Sequence, residues 1–498
     1  MIHRPSGAAP TVTVDVNDQA IGDLTADTLI VMSPKIGDDP SEAINEIDSH
    51  FGGAFLTALS DAGFSGNIGA NVQVPAMGKL PVKRVIVCGI SNTECDADDL
   101  RRAFGSAARV AKRAGASQVA CIPDFGGLDD QSGYRAATEG VLLSLYDFET
   151  YRSDQDDDDD NAKSIASWTF IGPEDDAARE GIRIGYAVAT GIYLARDMVF
   201  EPGNTIYPET LAEVARETAT NAELEYQVFD ENQLAEMEAG AIVAVGRGSE
   251  HPPRLVHMTY QPTGESQGTI ALIGKGITFD TGGMSLKSGS GMVPMKTDMA
   301  GAAAVLGAMR AISELDLPFT VHGIIAAAEN TPSSTAYRPS DVLTAKNGKT
   351  IEVISTDAEG RLVLADAMVY AAEQGVDEMI DLATLTGAKV VALGEESVAV
   401  YSNDDEMARA VVAAGEEAGE LFWHMPLWKE LRKKLNSEIA DMKNSGGRGG
   451  GSITAALFLS EFTEGVKWAH LDIAGAAWTS STSGYTPKGA TGVATRAL

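Results

Sequence analysis

Cysteine is scarce in this chain of 498 residues. The three cysteines, Cys88, Cys95 and Cys121, are too few for a disulfide framework and do not have the spacing of a metal site. We interpret them as core or surface thiols. The scarcity excludes the disulfide-rich class of small secreted proteins and favours a reducing, cytoplasmic location.

Positive charge is also scarce, because 38 basic residues face 71 acidic ones and the formal net charge is -33. A protein of this charge repels phosphate backbones and anionic membrane surfaces. We therefore expect neither nucleic acid nor a membrane among its partners, and a DNA-binding regulator is a poor hypothesis.

Long hydrophobic runs are missing as well. The longest candidate, GAAAVLGAM from Gly301, is typical of a buried helix and is too short to span a bilayer. The first residues, MIHRPSGAAPTVTVDV, lack the basic start and apolar core of a secretory signal. These features again predict a cytoplasmic protein.

Several familiar catalytic motifs are absent from the sequence. It contains no HExxH, and the stretch IGKGIT fails as a phosphate loop because Gly276 follows Lys275. The seven histidines form no paired motif, so we expect each to be structural. They are His3, His50, His251, His257, His322, His424 and His470.

What the chain does contain is an alternation of short apolar strands and helical segments. In the first third, TLIVMSP at Thr28 and RVIVCGIS at Arg84 precede the helical RRAFGSAARVAKRAG. Further strand patterns begin at Thr269, Phe319 and Met379, again with helical segments between them. This alternation predicts an α/β fold with mixed sheets flanked by helices.

One long helical pattern divides the chain. It has acidic residues at its start and Arg196 near its end, and Pro202 and Gly203 stop it. We predict two α/β domains joined by this linker helix. The predicted ranges are 1–173 for the N-terminal domain, 174–200 for the linker helix and 201–498 for the C-terminal domain, with the aspartate run 156–160 in a solvated loop.

The stretch ISTDAEGRLVLADAM places Asp357, Glu359 and Arg361 two residues apart. In an extended backbone such residues project to one side, so we expect the three charges to lie together. A solvated loop with a local Arg–Glu contact is the alternative, because surface charge is common.

Further charged residues follow a buried strand pattern, and ligand sites of open α/β sheets collect at such strand ends. Lys275, Asp280 and Lys287 lie among glycines after TIAL, and Asp298 precedes a small-residue helix. Asp298 has an alternative role as the N-cap of that helix. Carboxylates are the ligands of hard divalent cations, so we predict a site for two such ions formed by Asp280, Asp298, Asp357 and Glu359. A nearby metal ion would also lower the proton affinity of Lys275, so that its neutral amine could bind.

The stretches KGITFDTGG, MKTDMAGAA and TDAEGRL together resemble the leucyl aminopeptidase family, the cytosol aminopeptidases of peptidase family M17. The stretches DLATLTGA, IADMKNSGGRGGGSITAALFL and WAHLDIAGAAW agree with it. The resemblance is strong from about Arg196 to the C-terminus and weaker before it. It implies a hydrolase that releases leucine-like N-terminal residues from peptides, with a variable N-terminal domain, a C-terminal catalytic domain and a homohexameric assembly.

The resemblance also implies roles for individual residues. Two divalent ions, manganese or zinc, activate water: Lys275, Asp280, Asp298 and Glu359 bind the tighter one, and Asp280, Asp357 and Glu359 the more exchangeable one. Lys287 steadies the developing oxyanion, and Arg361 holds a bicarbonate that acts as general base. The substrate pocket includes Met295, which is equally compatible with ordinary core packing, together with Thr384, Leu385 and Gly387.

Three positions depart from the family pattern, and none is a predicted ligand. Ser355 replaces the usual Asn, Ser288 replaces a common Pro and Phe200 replaces a frequent Asn. The alternative function is a catalytically silent metal-binding scaffold of the same fold. The presence of Lys287 and Arg361 argues against it, because a structural site needs neither an oxyanion group nor an anion anchor.

Overall fold

The computed structural model of the protein describes residues 10–37, 39–91, 94–151 and 164–498. They form two compact units. One contains Thr190–Ser480 and Gly489–Leu498, and the other contains the described residues up to Ala189 together with Ser481–Lys488. The aspartate run 156–160, predicted to be a solvated loop, lies outside the described residues.

The N-terminal unit is built on a six-stranded sheet with the order β1-β6-β5-β2-β4-β3, in which only β3 is antiparallel to its neighbour. Alternate apolar residues of β2 and β4 pack against the helices, which buries Leu29, Val31, Val85 and Val87. The strands are β1 Thr13–Asn17, β2 Thr28–Ser33, β3 Asn71–Pro75, β4 Arg84–Gly89, β5 Gln118–Ile122 and β6 Ser167–Ile171. The helices are α1 Glu42–Phe51, α2 Ala54–Asp61, α3 Ala97–Arg113 and α4 Asp130–Leu145, with a 3-10 helix at Ile21–Asp23.

Helix α5 (Asp176–Phe200) has 25 residues, and the division between the two units falls within it. The prediction of two α/β domains, each with a mixed sheet flanked by helices and joined by a long helix, is confirmed. The predicted boundaries at residues 173 and 200 remain predictions. The segment Ser481–Lys488 belongs to the N-terminal compact unit, where the Tyr485 hydroxyl donates to Asp98 at 2.8 Å.

The C-terminal unit contains an eight-stranded sheet with the order β15-β14-β17-β13-β9-β10-β8-β7. Its strands are β7 Glu225–Phe229, β8 Arg254–Tyr260, β9 Thr269–Asp280, β10 Thr320–Asn330, β13 Glu378–Ala383, β14 Ser397–Ser402, β15 Leu421–His424 and β17 Lys467–Asp472. Smaller sheets are formed by β11 Val342–Thr344, β12 Thr350–Glu352 and β16 Met442–Lys443, and by β18 Trp478–Thr479 and β19 Gly489–Ala490.

Helices cover both faces of this sheet and give two cores. On one face, Ile273 packs with helix α11, and on the other Leu272 packs with α10. Gly274 permits the second contact, since a Cβ atom there would lie 2.6 Å from the Cα of Ala302. The helices are α6 Pro208–Asn221, α7 Glu231–Glu236, α8 Gly240–Gly246, α9 Gly289–Met292, α10 Ala300–Ile312, α11 Gly360–Glu373, α12 Gly387–Leu393, α13 Asp405–Glu417 and α14 Gly451–Leu459, with 3-10 helices at Val293–Thr297, Lys429–Leu435 and Ser460–Phe462.

The apolar stretch at Gly301 and the three cysteines are all buried in the fold. The stretch beginning at Gly301 is part of the buried helix α10, as predicted. Among the described residues, no helix is both long and apolar enough to cross a membrane. The cysteines Cys88, Cys95 and Cys121 are free thiols, and all three are buried.

Candidate metal centre

The candidate site lies at the carboxyl edge of the larger sheet. Strands β17, β13, β9 and β10 are parallel neighbours, so their carboxyl ends share one edge. Polar residues end three of them, namely Asp472, Asp280 and Asn330, and all three are almost fully buried. Such an edge is where open α/β sheets bind ligands.

Lys275 is the only buried cation of strand β9, and it faces two carboxylates. Its Nζ lies 2.9 Å from Asp298 Oδ1 and 3.0 Å from Glu359 Oε1, and it donates to the carbonyl oxygen of Thr384 at 2.9 Å. Gly360 makes this approach possible, because a Cβ atom there would lie 2.6 Å from Nζ. A buried ammonium is tolerated only with such partners, which explains why three separate segments converge on it.

Lys287 links two more of the predicted ligands. Its Nζ lies 2.7 Å from Asp280 Oδ2 and 2.5 Å from Asp357 Oδ1. The other oxygen of Asp280 accepts bonds from the Gly282 amide at 2.8 Å and from the Asn330 side chain at 2.7 Å. Asp280 is therefore fixed in position, whereas the Asp357 side chain is 40% exposed.

The segment that carries Asp357, Glu359 and Arg361 does not have the predicted extended conformation. The chain turns at Thr356 and Asp357, and helix α11 begins at Gly360. As a result Asp357 is exposed, while Glu359 and Arg361 are buried. The carboxylates nevertheless converge, because oxygens of Asp280, Asp357 and Glu359 all lie within 4.8 Å of one another. The solvated-loop alternative is incompatible with the burial of Glu359.

The alternative role of Asp298 as an N-cap is also not observed. Helix α10 follows Met299 without a side-chain cap, and Asp298 Oδ1 instead accepts bonds from Lys275 and from the Thr384 hydroxyl. Its second oxygen, Oδ2, is buried without a partner among the described residues, and so is Glu359 Oε2. Buried carboxylate oxygens without partners are costly. These oxygens and the nearby carboxylates suit hard divalent cations.

The electrostatics of the centre reflect surplus negative charge. Burial, and then the neighbouring Glu359, raises the pKa of Asp280 to about 6, and burial raises the pKa of Asp298 to about 8. Burial opposes the charge on Lys275, but Asp298 and Glu359 outweigh it and raise the pKa of the amine above its ordinary value. Four carboxylates thus share two lysines, an imbalance that bound cations would correct.

Arg361 lies in the first turn of α11 and is almost fully buried. Its Nη1 donates to the carbonyl oxygen of Asn444 at 2.8 Å, while Nε is buried and has no partner in the described part of the chain. Burial lowers the pKa of the guanidinium to about 10, so it stays charged at neutral pH. A buried guanidinium with an unused donor suits a planar anion.

The residues predicted to line the substrate pocket lie on two segments beside the centre. Thr384 and the half-buried Leu385 follow strand β13. Thr384 contacts both Lys275 and Asp298. Gly387 begins helix α12 and is exposed. Met295 lies in the 3-10 helix three residues before Asp298 and is half-buried, so it is not part of the core.

Sequence reasoning missed three residues that hold these segments in place. Asn330 joins Asp280 to the carbonyl oxygen of Thr356, at 2.7 and 2.9 Å. Asn444 accepts from the amide of Ile354 at 2.8 Å and donates to the carbonyl oxygen of Ser355 at 2.7 Å. Asp472 accepts from the amide of Leu385 at 3.1 Å and from the hydroxyl of Thr386 at 2.6 Å. For Asn330 and Asp472, a polar residue at the end of a buried strand was the available signal.

Comparison with known protein families agrees with this geometry. The model of the "Cytosol aminopeptidase family, catalytic domain" matches residues 193–498, and that of the family's N-terminal domain matches residues 35–155. The probable cytosol aminopeptidase of Trichormus variabilis is 38% identical over 489 residues, covering 98% of this chain and 99% of the relative. The probable cytosol aminopeptidase of Aquifex aeolicus is 45% identical over 437 residues, covering 87% of each protein.

Solved structures are similar across both units. The bottromycin maturation enzyme BotP in complex with Mn has a TM-score of 0.84 and 36% identity, over 95% of this chain and 98% of that chain. A mutant of tomato leucine aminopeptidase has a TM-score of 0.87 and 34% identity, over 99% of this chain and 96% of that chain. The buried carboxylate centre, the two family matches and the full-length relatives together show that this chain belongs to the cytosol aminopeptidase family and is a metal-dependent aminopeptidase, a hydrolase of peptides.

Proposed function

We propose that this aminopeptidase removes leucine-like N-terminal residues by means of two divalent ions and a bicarbonate. The observation that carries the proposal is the convergence of four carboxylates and Lys275 at one sheet edge, with carboxylate oxygens of Asp298 and Glu359 buried and unpartnered. A structural ion-pair network would be expected to satisfy those oxygens.

In this proposal Lys275, Asp280, Asp298 and Glu359 hold one ion, and Asp280, Asp357 and Glu359 hold the other. The second set is supported by the 4.8 Å grouping of its oxygens and by the exposure of Asp357, which suits an exchangeable ion. Manganese and zinc are the candidate metals. When bound, a pair of such ions lowers the pKa of water and polarises a peptide carbonyl.

Lys287 is proposed to bind the oxyanion that develops on the scissile carbonyl. Its Nζ is held between Asp280 and Asp357, and these carboxylates raise the pKa of the amine against the opposing effect of burial. The ammonium form is therefore the one present at neutral pH. A positioned cation of this kind stabilises the transition state more than the ground state.

Arg361 is proposed to anchor the bicarbonate that serves as general base. The support is its buried Nε, which has no partner among the described residues, and its fixed Nη1 bond to Asn444. A guanidinium held on one side leaves a planar set of donors for an anion on the other. The buried carboxylates nearby are engaged by lysines, so a separate proton acceptor is reasonable.

The preference for leucine-like residues is assigned to Met295, Thr384, Leu385 and Gly387. Met295 and Leu385 are half-buried apolar side chains close in sequence to the centre, and Asp472 fixes the backbone of the second segment. An apolar pocket discriminates by about 1–3 kcal/mol per methylene group, so the preference should be graded. Homohexameric assembly and a cytoplasmic location are proposed from the family resemblance alone.

Metal analysis combined with an activity assay tests this function. Purified protein should contain about two divalent ions per chain and should hydrolyse leucine p-nitroanilide. A chelator should abolish turnover, and added Mn²⁺ should restore it. Bicarbonate-depleted buffer should slow turnover in the wild type. Full activity in metal-free protein contradicts the proposal, and metal binding without any turnover supports a silent scaffold instead.

A further inference from the structure

A second group of potential metal ligands lies on the outer part of the larger sheet. His257 on β8 and His322 on β10 are 65 positions apart, yet His257 Nε2 lies 2.8 Å from His322 Nδ1. The Thr259 hydroxyl lies 3.2 Å from the first nitrogen and 3.3 Å from the second. We call His257, Thr259 and His322 the histidine cluster.

The register of the strands explains the pairing. His322 lies directly opposite Thr259, and His257 is two residues before Thr259, so all three side chains share one face of the sheet. His322 is the third residue of β10, whose last residue, Asn330, borders the metal centre. Eight strand residues at about 3.3 Å each separate the two places by roughly 26 Å. The histidine cluster is thus a different site from the carboxylate centre.

We propose that the histidine cluster is a second metal site, one that binds a borderline divalent cation such as Ni²⁺, Cu²⁺ or Zn²⁺. Imidazole nitrogens suit these ions, whereas the oxygen-rich centre suits harder ones. The two sites of the chain therefore differ in their metal preference.

The spacing of the two nitrogens supports this assignment. Metal–imidazole bonds are about 2.0–2.1 Å long, so two nitrogens at a right angle on one ion lie about 2.9 Å apart. The observed 2.8 Å is close to that value. Without a cation this contact is a hydrogen bond between the two rings, so a bound ion would replace its proton and both rings would turn their lone pairs towards the ion. Right-angled ligands are typical of Ni²⁺ and Cu²⁺.

Tyr370 provides the outer partner that a metal-binding histidine requires. Its hydroxyl lies 2.9 Å from His257 Nδ1. Burial, followed by the charge of Glu373, raises the pKa of Tyr370 to about 12, so the hydroxyl stays neutral and can accept a bond from Nδ1–H. That tautomer makes His257 Nε2 an acceptor, which lies within hydrogen-bond distance of His322 Nδ1 and the Thr259 hydroxyl and which a cation can use instead. His322 reaches the matching tautomer by carrying its proton on Nε2, so binding requires no net loss of a proton.

The surroundings keep both rings neutral and leave one side open. Burial, followed by the nearby His322, lowers the pKa of His257 to about 4, and burial lowers the pKa of His322 against the effect of Glu225. His322 is only partly buried, which gives a cation access. Glu225 lies opposite Thr259 on β7 and is exposed, so its carboxylate is available on the open side.

Nickel binding to the tag-free full-length protein tests the proposal. Mn²⁺ in excess first fills the carboxylate centre, and Ni²⁺ is then titrated calorimetrically. We expect one Ni²⁺ per wild-type chain, and an affinity at least about 100-fold weaker in His322→Gln, because even loss of an outer partner costs about 10–100-fold. Replacement of the exposed His424 by glutamine is the matched control and should change nothing.

Two further measurements keep the test decisive if His322→Gln folds poorly. Tyr370→Phe retains both imidazoles but should weaken Ni²⁺ binding about 10–100-fold. In the wild type, Ni²⁺ should protect His322, but not His424, from diethyl pyrocarbonate, as read by peptide mass spectrometry. Unchanged Ni²⁺ affinity in His322→Gln, or no protection of His322, overturns the assignment. Aminopeptidase activity with Mn²⁺ is not part of either readout, so the two proposals fail separately.

Discussion

Two buried charge clusters in this chain resemble each other in composition but differ in how their oxygens are used. In the N-terminal unit, Glu139 is fully buried, with Oε2 2.6 Å from Arg101 Nε and Oε1 3.0 Å from Arg135 Nε. In the metal centre, Glu359 is equally buried, but only Oε1 has a partner, Lys275 at 3.0 Å.

We call the Glu139 cluster closed, because both of its carboxylate oxygens have cationic partners, and the Glu359 cluster open, because one oxygen has none among the described residues. Each oxygen of Glu139 faces a guanidinium, so that cluster needs nothing more. The Asp298 and Glu359 carboxylates each keep one oxygen buried without a partner in the described part of the chain, which costs free energy in the metal-free protein. Burial alone therefore does not distinguish a structural acid from a functional one; the unsatisfied oxygen does.

The largest expected effect is on catalysis, from Glu359→Gln. Loss of a carboxylate shared by both proposed ions should lower kcat/KM by about 1000-fold or more, well beyond the effect of an outer partner. Lys275 keeps Asp298 as a partner, so the free energy of unfolding in chelator should fall less than in Glu139→Gln. Steady-state kinetics and urea unfolding measure the two quantities. Near-normal turnover would show that Glu359 is not a ligand.

The matched change in the closed cluster is Glu139→Gln. Arg101 is 2% exposed and would lose its ion pair with Glu139, which should lower the free energy of unfolding by about 3–5 kcal/mol. Metal content per folded chain should stay unchanged, because no proposed ligand is touched. Equilibrium unfolding and metal analysis give the answer. A fall in metal content without a loss of stability would show that Glu139 acts in metal binding and is not a structural acid.

The next largest effect on catalysis is expected from Lys287→Gln. Removing the proposed oxyanion cation should lower kcat by about 100–1000-fold, with a smaller change in KM, because the interaction forms in the transition state. Lys346→Gln is the control, since Lys346 is a largely buried lysine of the same unit that pairs with Glu373. Equal losses of kcat in the two variants would remove the special role of Lys287.

The smallest effect, on Mn²⁺ affinity, should come from Asn444→Ser. This change removes side-chain hydrogen bonds to the segment 354–358 without removing a proposed ligand. We expect Mn²⁺ affinity to fall about 10–100-fold, the usual cost of losing an outer partner. Asn403→Ser is the control, because Asn403 also clamps a loop, through Val466 and Trp468, away from the centre. Mn²⁺ titration of both variants decides the point; an unchanged affinity in Asn444→Ser would assign Asn444 to the fold alone.

The sequence predicted the two-domain α/β fold and the charged residues of the centre because both follow from local patterns. Asp280 ends an apolar strand, and Glu359 precedes an apolar helix, so each was visible in its own segment. The extended conformation predicted for the segment at Asp357 was wrong, because helix α11 begins at Gly360, only three residues later.

Other residues could not be found from local pattern because their partners are distant along the chain. Asn444 contacts Ile354 across 90 positions, and Asp472 contacts Leu385 across 87. His257 and His322 meet only through the register of two antiparallel strands, so a search for paired histidine motifs missed them. Pairing of this kind is a property of the sheet and is not contained in either strand alone.

The most direct test of the open cluster is anomalous diffraction from crystals soaked in Mn²⁺. We expect two peaks per chain, one among Lys275, Asp280, Asp298 and Glu359 and one among Asp280, Asp357 and Glu359, with none at Glu139. No peak at these carboxylates, in crystals of protein that is active in the same Mn²⁺ solution, would contradict the account.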